Sequence, residues 1–158
     1  MRLERTEDVA FISSIINHPE IKPHIILDGQ TDLPIPIHPS VYHLIPKIDV
    51  GVEPGMIESI PIGIVMFFPV NPICWNPHVC ILPKYRGMGT EALMWGIEWM
   101  FSNTECKKLI AHPPVTNTAM IQVFKKLGFH LEGVSPKSVM KNGELVGRIL
   151  YGLEKEYH

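Results

Sequence analysis

Apolar positions along the chain follow two periods, and the change from one to the other lays out the fold. Val9, Ile12, Ile15 and Ile16 recur at helical spacing after Thr6, which can cap the helix, and the pattern stops before Pro19. His18 falls at the end of this helix, where its positive form would suit the dipole. From Glu20 to Pro46, prolines at 23, 34, 36 and 39 preclude a long regular helix. His38-Pro39-Ser40 predicts a short helical segment through Val41, Tyr42 and Leu44. Three strands are expected next, over residues 47–52, 60–68 and 73–82, the first two flanking the turn signal Glu53-Pro54-Gly55. The second, rich in β-branched and aromatic residues, reads as a strand buried on both faces.

Past Pro83 the period becomes helical again, with Leu93, Ile97, Met100 and Phe101 on one face. A short strand from Lys107 to His112 follows. A second helix then begins near Asn117, with Met120, Val123, Phe124 and Leu127 as its apolar face, and ends at Gly128. Strands over 129–134 and 145–153 flank Asn142-Gly143, a strong hairpin signal. The second helix is read as a crossover between parallel strands. A meander that gains helices only afterwards predicts an α+β domain with a mixed, mostly antiparallel twisted sheet of six or seven strands. The doubly wound dinucleotide folds begin differently and need a fuller glycine spacing than this chain has.

The length of 158 residues suits one domain over 1–158 with a sizeable core. With 46% hydrophobic and 19% charged residues the chain is compact rather than disordered, and its net charge of −2 gives no basic footprint for nucleic acid. Cys74, Cys80 and Cys106 make no disulfide framework. The charged N-terminus is unlike a signal peptide, and no apolar run is long enough to span a bilayer, so the expectation is a cytoplasmic protein without a membrane partner.

Chemistry concentrates at Ile81-Leu82-Pro83-Lys84-Tyr85-Arg86-Gly87-Met88-Gly89-Thr90-Glu91. A strand ends, a glycine turn follows and a helix begins. The unpaired N–H groups of a helix start attract anions, glycine lets a ligand approach the backbone, and Arg86 adds a cation with phosphate geometry. This stretch resembles the acetyl-CoA loop of the GCN5-related N-acetyltransferase (GNAT) family, with Glu91 standing where a small residue is usual. Asn117 through Leu127-Gly128-Phe129 resembles the family's second hallmark, in the family's order and separation. The tail, Glu132-Gly133 and then Asn142-Gly143, is similar to that of the ribosomal-protein N-terminal acetyltransferase branch.

The resemblance implies the GNAT fold and direct transfer of acetyl from coenzyme A to an amine. Cofactor contacts would come from Ile81, whose backbone N–H would polarise the thioester, and from Arg86, Gly87, Met88, Gly89, Thr90, Asn117 and Phe124. The pantetheine arm would lie in a V-shaped opening between the loop strand and its successor. Phe124 occupies the position where the family often has a proton-donating tyrosine; Ser135 and Tyr151 are alternative donors.

For the general base, the candidates are His78, on the strand before the loop, and His112, at the end of the next strand. Alternation turns His78 away from Ile81 unless a bulge intervenes. Glu53 and Glu58 are weaker candidates, and Cys80 as a nucleophile lacks a sequence partner. The eight histidines show no metal-ligand spacing, and no metal is expected. The acceptor amine is open among small molecules, peptide N-termini and lysine; the mild negative charge leans toward cationic acceptors. Exposed edges after Val146 could pair in a homodimer. A rival reading is a degenerate domain that keeps the fold and serves as a binding or assembly module. Glu91 and Phe124 favour it, whereas Arg86-Gly87-Met88-Gly89 and Asn117 favour the enzyme.

Overall fold

A computed structural model describes residues 1–31 and 33–157. Eight strands form one sheet: β1 (Arg2–Arg5), β2 (Tyr42–Glu53), β3 (Met56–Pro61), β4 (Gly63–Asn71), β5 (Cys74–Ile81), β6 (Lys108–Ala111), β7 (His130–Lys141) and β8 (Glu144–Glu154). Their order is β1-β2-β4-β5-β6-β8-β7, with β3 paired to β2. Helices α1 (Val9–Ile16) and α2 (Lys22–Ile25) precede β2, α3 (Gly89–Asn103) joins β5 to β6, and α4 (Thr118–Lys126) joins β6 to β7. The expected α+β architecture is therefore present, with a mixed sheet slightly larger than anticipated.

The strand buried on both faces is β4. Its Ile64 and Met66 pack with Ile12, Ile15 and Ile16 of α1, while Val65 and Phe67 pack with Leu93, Ile97 and Met100 of α3. Alternation along one strand thus builds two cores, one on each face of the sheet. On the α3 side the contact is close enough to need glycine. A Cβ on Gly96 would sit 2.8 Å from Val65 Cγ1 and 3.2 Å from the Phe67 ring. The helix tolerates that mid-helix glycine because it brings α3 down onto β4.

Several local expectations are corrected. Asp8, not Thr6, caps α1: its carboxylate accepts from Phe11 N at 3.1 Å, and Thr6 Oγ1 accepts from Asp8 N. The predicted helical segment at 41–44 is instead the start of β2, which pairs with β4 through Tyr42↔Phe67 and Leu44↔Val65. The single strand expected over 60–68 is divided at Ile62. Residues before and after it pair with β2 as β3 and β4, and Ile62 N itself donates to Pro46 O.

As expected, α4 crosses over the sheet between parallel strands, β6 and β7, and α3 makes a second crossover between the adjacent parallel pair β5 and β6. β8 inserts between β6 and β7, antiparallel to both. The edge at this end of the sheet is consequently β7, not the residues after Val146 on β8. Asn142 and Gly143 do turn the β7–β8 hairpin, both at positive φ (52° and 79°).

Gly96→Val should destabilise the protein by about 1–3 kcal/mol by overpacking the α3–β4 contact, read as a lowered midpoint in urea. An unchanged midpoint would contradict the close approach.

Candidate functional site

The site begins where two strands part. β5 and β6 are parallel partners only at Cys74↔Lys108 and Trp75↔Leu109, yet β5 continues to Ile81. On its other edge β5 stays in register with β4, from Pro69↔Trp75 to Gly63↔Ile81 without a shift. Leu82 N donates to Ile62 O at 2.9 Å, which fixes the phase of that ladder. Alternation then turns the N–H groups of Val79 and Ile81 away from β4, into the gap. Pro77 lies in the same phase, so its missing N–H costs the β4 ladder nothing. No bulge interrupts the register, and the His78 side chain accordingly lies on the opposite face from that of Ile81.

Below the gap the chain makes a 3₁₀ turn at Pro83–Tyr85, and Gly87 at φ +98° swings it into α3. Met88 caps α3 without any side-chain hydrogen bond, and the helical ladder starts with Ala92 N to Met88 O. The N–H groups of Gly89, Thr90 and Glu91 therefore stay free of capping side chains at the positive pole of the helix. A Cβ on Gly89 would make only an ordinary 3.6 Å contact with Ile81. Packing alone does not demand glycine there, whereas a ligand lying on the backbone does. Arg86 Nη2 is 3.6 Å from Glu20 Oε1, with both side chains largely exposed, a pairing too weak to hold the guanidinium. Glu91 is exposed on the first turn, where a carboxylate stabilises the helix.

On the α1 side of the sheet a cavity of about 520 Å³ opens. Met66, Phe68, His78 and Cys80 line it from β4 and β5, and Asn117, Met120 and Phe124 from the α4 end. Its far wall comes from His24 to Leu27 and from Leu33, Pro34 and Pro36. The β7–β8 hairpin tip holds this wall. Lys141 Nζ donates to Pro23 O at 2.8 Å and to Ile26 O at 2.6 Å, and the Asp28 carboxylate accepts from Asn142 N at 2.9 Å and Gly143 N at 2.7 Å.

Both candidate histidines line the cavity. His78 is exposed to the cavity, its ring edge-on to Phe68 at 5.4 Å. Burial, and then the neighbouring His112, push its pKa down to about 4. The His112 pKa is lowered as well, by burial first and then by the Arg148 cation. Both rings are neutral at neutral pH, and His112, at the rim of the gap, keeps more basicity.

Of the remaining candidates, Asn117 Oδ1 accepts from Met120 N at 3.3 Å as the cap of α4, which leaves its amide nitrogen for the cavity. Phe124 is both core and wall: it packs on Phe129 and Tyr151 and also faces the cavity. Tyr151 is buried in the α3–α4 core, and neither it nor Ser135 lines the cavity, so neither stands in for the missing donor. Cys80 is buried, and its thiol is pushed up to about 12, which removes it as a nucleophile. Glu53 and Glu58 lie on the β2–β3 hairpin, outside the cavity.

His130, Glu132 and Glu154 form a donor cluster among the described residues, but the Lys108 ammonium bridges both carboxylates, at 2.5 and 3.4 Å. That is an ion-pair network on the surface. Among the cavity residues that the sequence reading missed are the cations Lys141 and Arg148. The signal of Arg148 was a single cation inside the apolar run from Leu145 to Leu153.

A family model described as Acetyltransferase (GNAT) family matches residues 37–129. No curated protein matches the chain significantly. Among solved structures, spermidine N-acetyltransferase from Vibrio cholerae in complex with CoA and spermine superposes with a TM-score of 0.75 at 16% identity, over 99% of this chain and 96% of that one. A GNAT-family acetyltransferase from Bacillus anthracis gives a TM-score of 0.58 at 20% identity, over 74% and 67%. These likenesses share the fold; none confirms the ribosomal-protein branch suggested by the tail.

The lowered His78 pKa has a consequence for stability. Between about 4 and the ordinary 6.5 the unfolded chain binds a proton that folded His78 refuses, so stability falls as pH drops through that window. His78→Asn should show a shallower loss of Tm on acidification from neutral pH toward about 4; a slope equal to wild type would contradict the assignment.

Proposed function

The chain belongs to the acetyltransferase (GNAT) family, acetyl-CoA-dependent enzymes that acetylate amines, and we propose how its own residues divide that work. The observation that carries the reading is the splay of β5 from β6 directly above the uncapped start of α3. One feature presents strand N–H groups without partners, the other helix N–H groups without caps. Together they suit a ligand with an amide-bearing arm and a pyrophosphate. Bound there, acetyl-CoA supplies an activated acyl carbon and a thiolate leaving group, so that a C–N bond forms as the C–S bond breaks.

In this assignment the N–H groups of Gly89, Thr90 and Glu91 hold the pyrophosphate, with Gly87 shaping the turn and Arg86 and Met88 alongside. Val79 and Ile81 receive the arm, and the Ile81 N–H stabilises charge on the carbonyl oxygen as the tetrahedral centre forms. Asn117 and Phe124 border the arm from the α4 side. His112 accepts the proton of the attacking amine, directly or through one water. His78, held at a pKa of about 4, is the poorer base and shapes the amine's approach. No tyrosine lines the cavity among the described residues, so sulfur leaves as the thiolate, which a thiol with an ordinary pKa of about 8.5 tolerates.

Calorimetric titration with acetyl-CoA tests the loop. Gly89→Trp should weaken binding about 100-fold with little change in Tm; unaltered affinity would contradict the assignment. His112→Ala should lower kcat about 100-fold while acetyl-CoA affinity holds, with His78→Ala costing less. The acid limb of kcat/KM should have its midpoint below 6.5, the ordinary histidine value, and vanish in His112→Ala. A limb that persists in that variant excludes His112 as the base. Acetyl-CoA binding without turnover across an amine panel would return the binding-module reading.

A further inference from the structure

The charge of the acceptor pocket differs from that of the molecule. The chain as a whole carries −2. Among the described residues lining the cavity there is no aspartate or glutamate, while His24, His78, His112, Lys141 and Arg148 all face it. The two central histidines are neutral at neutral pH, and the Lys141 ammonium is committed to the carbonyls of Pro23 and Ile26. That leaves Arg148 as the cation whose side-chain donors are uncommitted, with the Lys141 charge adding to it.

Arg148 is half-buried, its side chain has no hydrogen bond or ion pair with any described residue, and its buried Nε lacks an acceptor. An arginine cannot shed its proton to escape this, so the unmet Nε donor is a standing cost. Its position is fixed by backbone pairing. Ile149 N donates to Pro113 O at 3.0 Å and Val115 N to Gly147 O at 2.9 Å. On β8, Ile149, Tyr151 and Leu153 pack into the α3–α4 core. Alternation therefore turns Arg148 to the opposite face, which is the face of His78 and His112.

A polyamine entering this cavity would bring several positive charges to a wall that offers a guanidinium and no described carboxylate. An anionic group would instead meet a planar fork of donors, of which Nε is already desolvated and unsatisfied. Ile16, Leu33, Met66 and Phe68 add an apolar surface that suits a hydrocarbon or aromatic body. Resting on the acetyltransferase reading, we infer that the acceptor is a small amine that also carries a carboxylate, held by Arg148, on an apolar frame. The spermidine enzymes of the same fold would then differ from this chain in acceptor class.

The test uses the full chain with acetyl-CoA and follows release of the CoA thiol. The probes are L-phenylalanine against L-phenylalaninamide, 6-aminohexanoate against hexylamine, and spermidine. In at least one pair the carboxylate should be favoured about tenfold or more in kcat/KM over both its neutral partner and spermidine. Arg148→Gln should erase that advantage through KM, Arg148→Lys should retain part of it, and neither should change acetyl-CoA affinity. Preference for spermidine or the neutral amines, an advantage that survives Arg148→Gln, or no turnover of any carboxylate despite acetyl-CoA binding would each overturn the inference. Weakened acetyl-CoA binding in Arg148→Gln would also overturn it, by assigning the arginine to the cofactor. If the wild type does not bind acetyl-CoA, the acetyltransferase reading is what fails. Direct calorimetry of the same probes with wild type and Arg148→Gln then still decides the anion site, and loss of carboxylate binding in the variant is the supporting result.

Discussion

Two parallel strands that stop pairing after two residues set the terms for the rest of this molecule. A strand that parts from its neighbour inside a sheet leaves backbone donors and acceptors facing a gap, which is costly unless a partner fills it. β5 pays little for this on the protein side, because its other edge stays fully bonded to β4 and one gap-facing position is Pro77. The separation is held open from both sides. Close packing through Gly96 draws α3 onto β4, and β6 is bound along its length to β8. The helix start below and the Asn117 cap beside it then converge on the same opening.

Division of the sheet into two faces assigns the chemistry. Residues of β4, β5 and β8 in one phase enter the α3–α4 core, and those in the other phase meet the cavity. This parity brings His78, His112 and Arg148 together although they are far apart in sequence. The two histidines differ in surroundings: desolvation by the pocket walls and then His112 hold His78 near 4, whereas desolvation and then the Arg148 cation lower His112. The cavity wall is itself held by the β7–β8 turn through Asp28 and Lys141, so the hairpin tip sets how wide the cavity is.

Much of this was legible along the chain wherever the cause was local. The glycine turn before α3, the capping asparagine of α4 and the Asn142-Gly143 hairpin are backbone statements written in single residues. Elements whose cause is long-range were hidden. β1 is a four-residue strand with three charged residues, held because its backbone pairs with β2 and Leu3 packs against the α3 core. The break at Ile62 exists because one apolar run bonds to β2 twice, which no window of sequence reveals. Insertion of β8 between β6 and β7 likewise depends on pairing across dozens of residues. Arg148 was visible as an isolated charge, but its significance needed the face on which it falls.

The account turns on the Val79 and Ile81 amides being the donors that acetyl-CoA satisfies. Residue-resolved amide hydrogen exchange, with and without saturating acetyl-CoA, addresses this directly. Binding should slow exchange at Val79 and Ile81 while leaving Cys80, whose amide already faces β4, near its unliganded rate. Tight binding with no added protection at Val79 and Ile81 would show that the gap between β5 and β6 is not where the acyl donor lies.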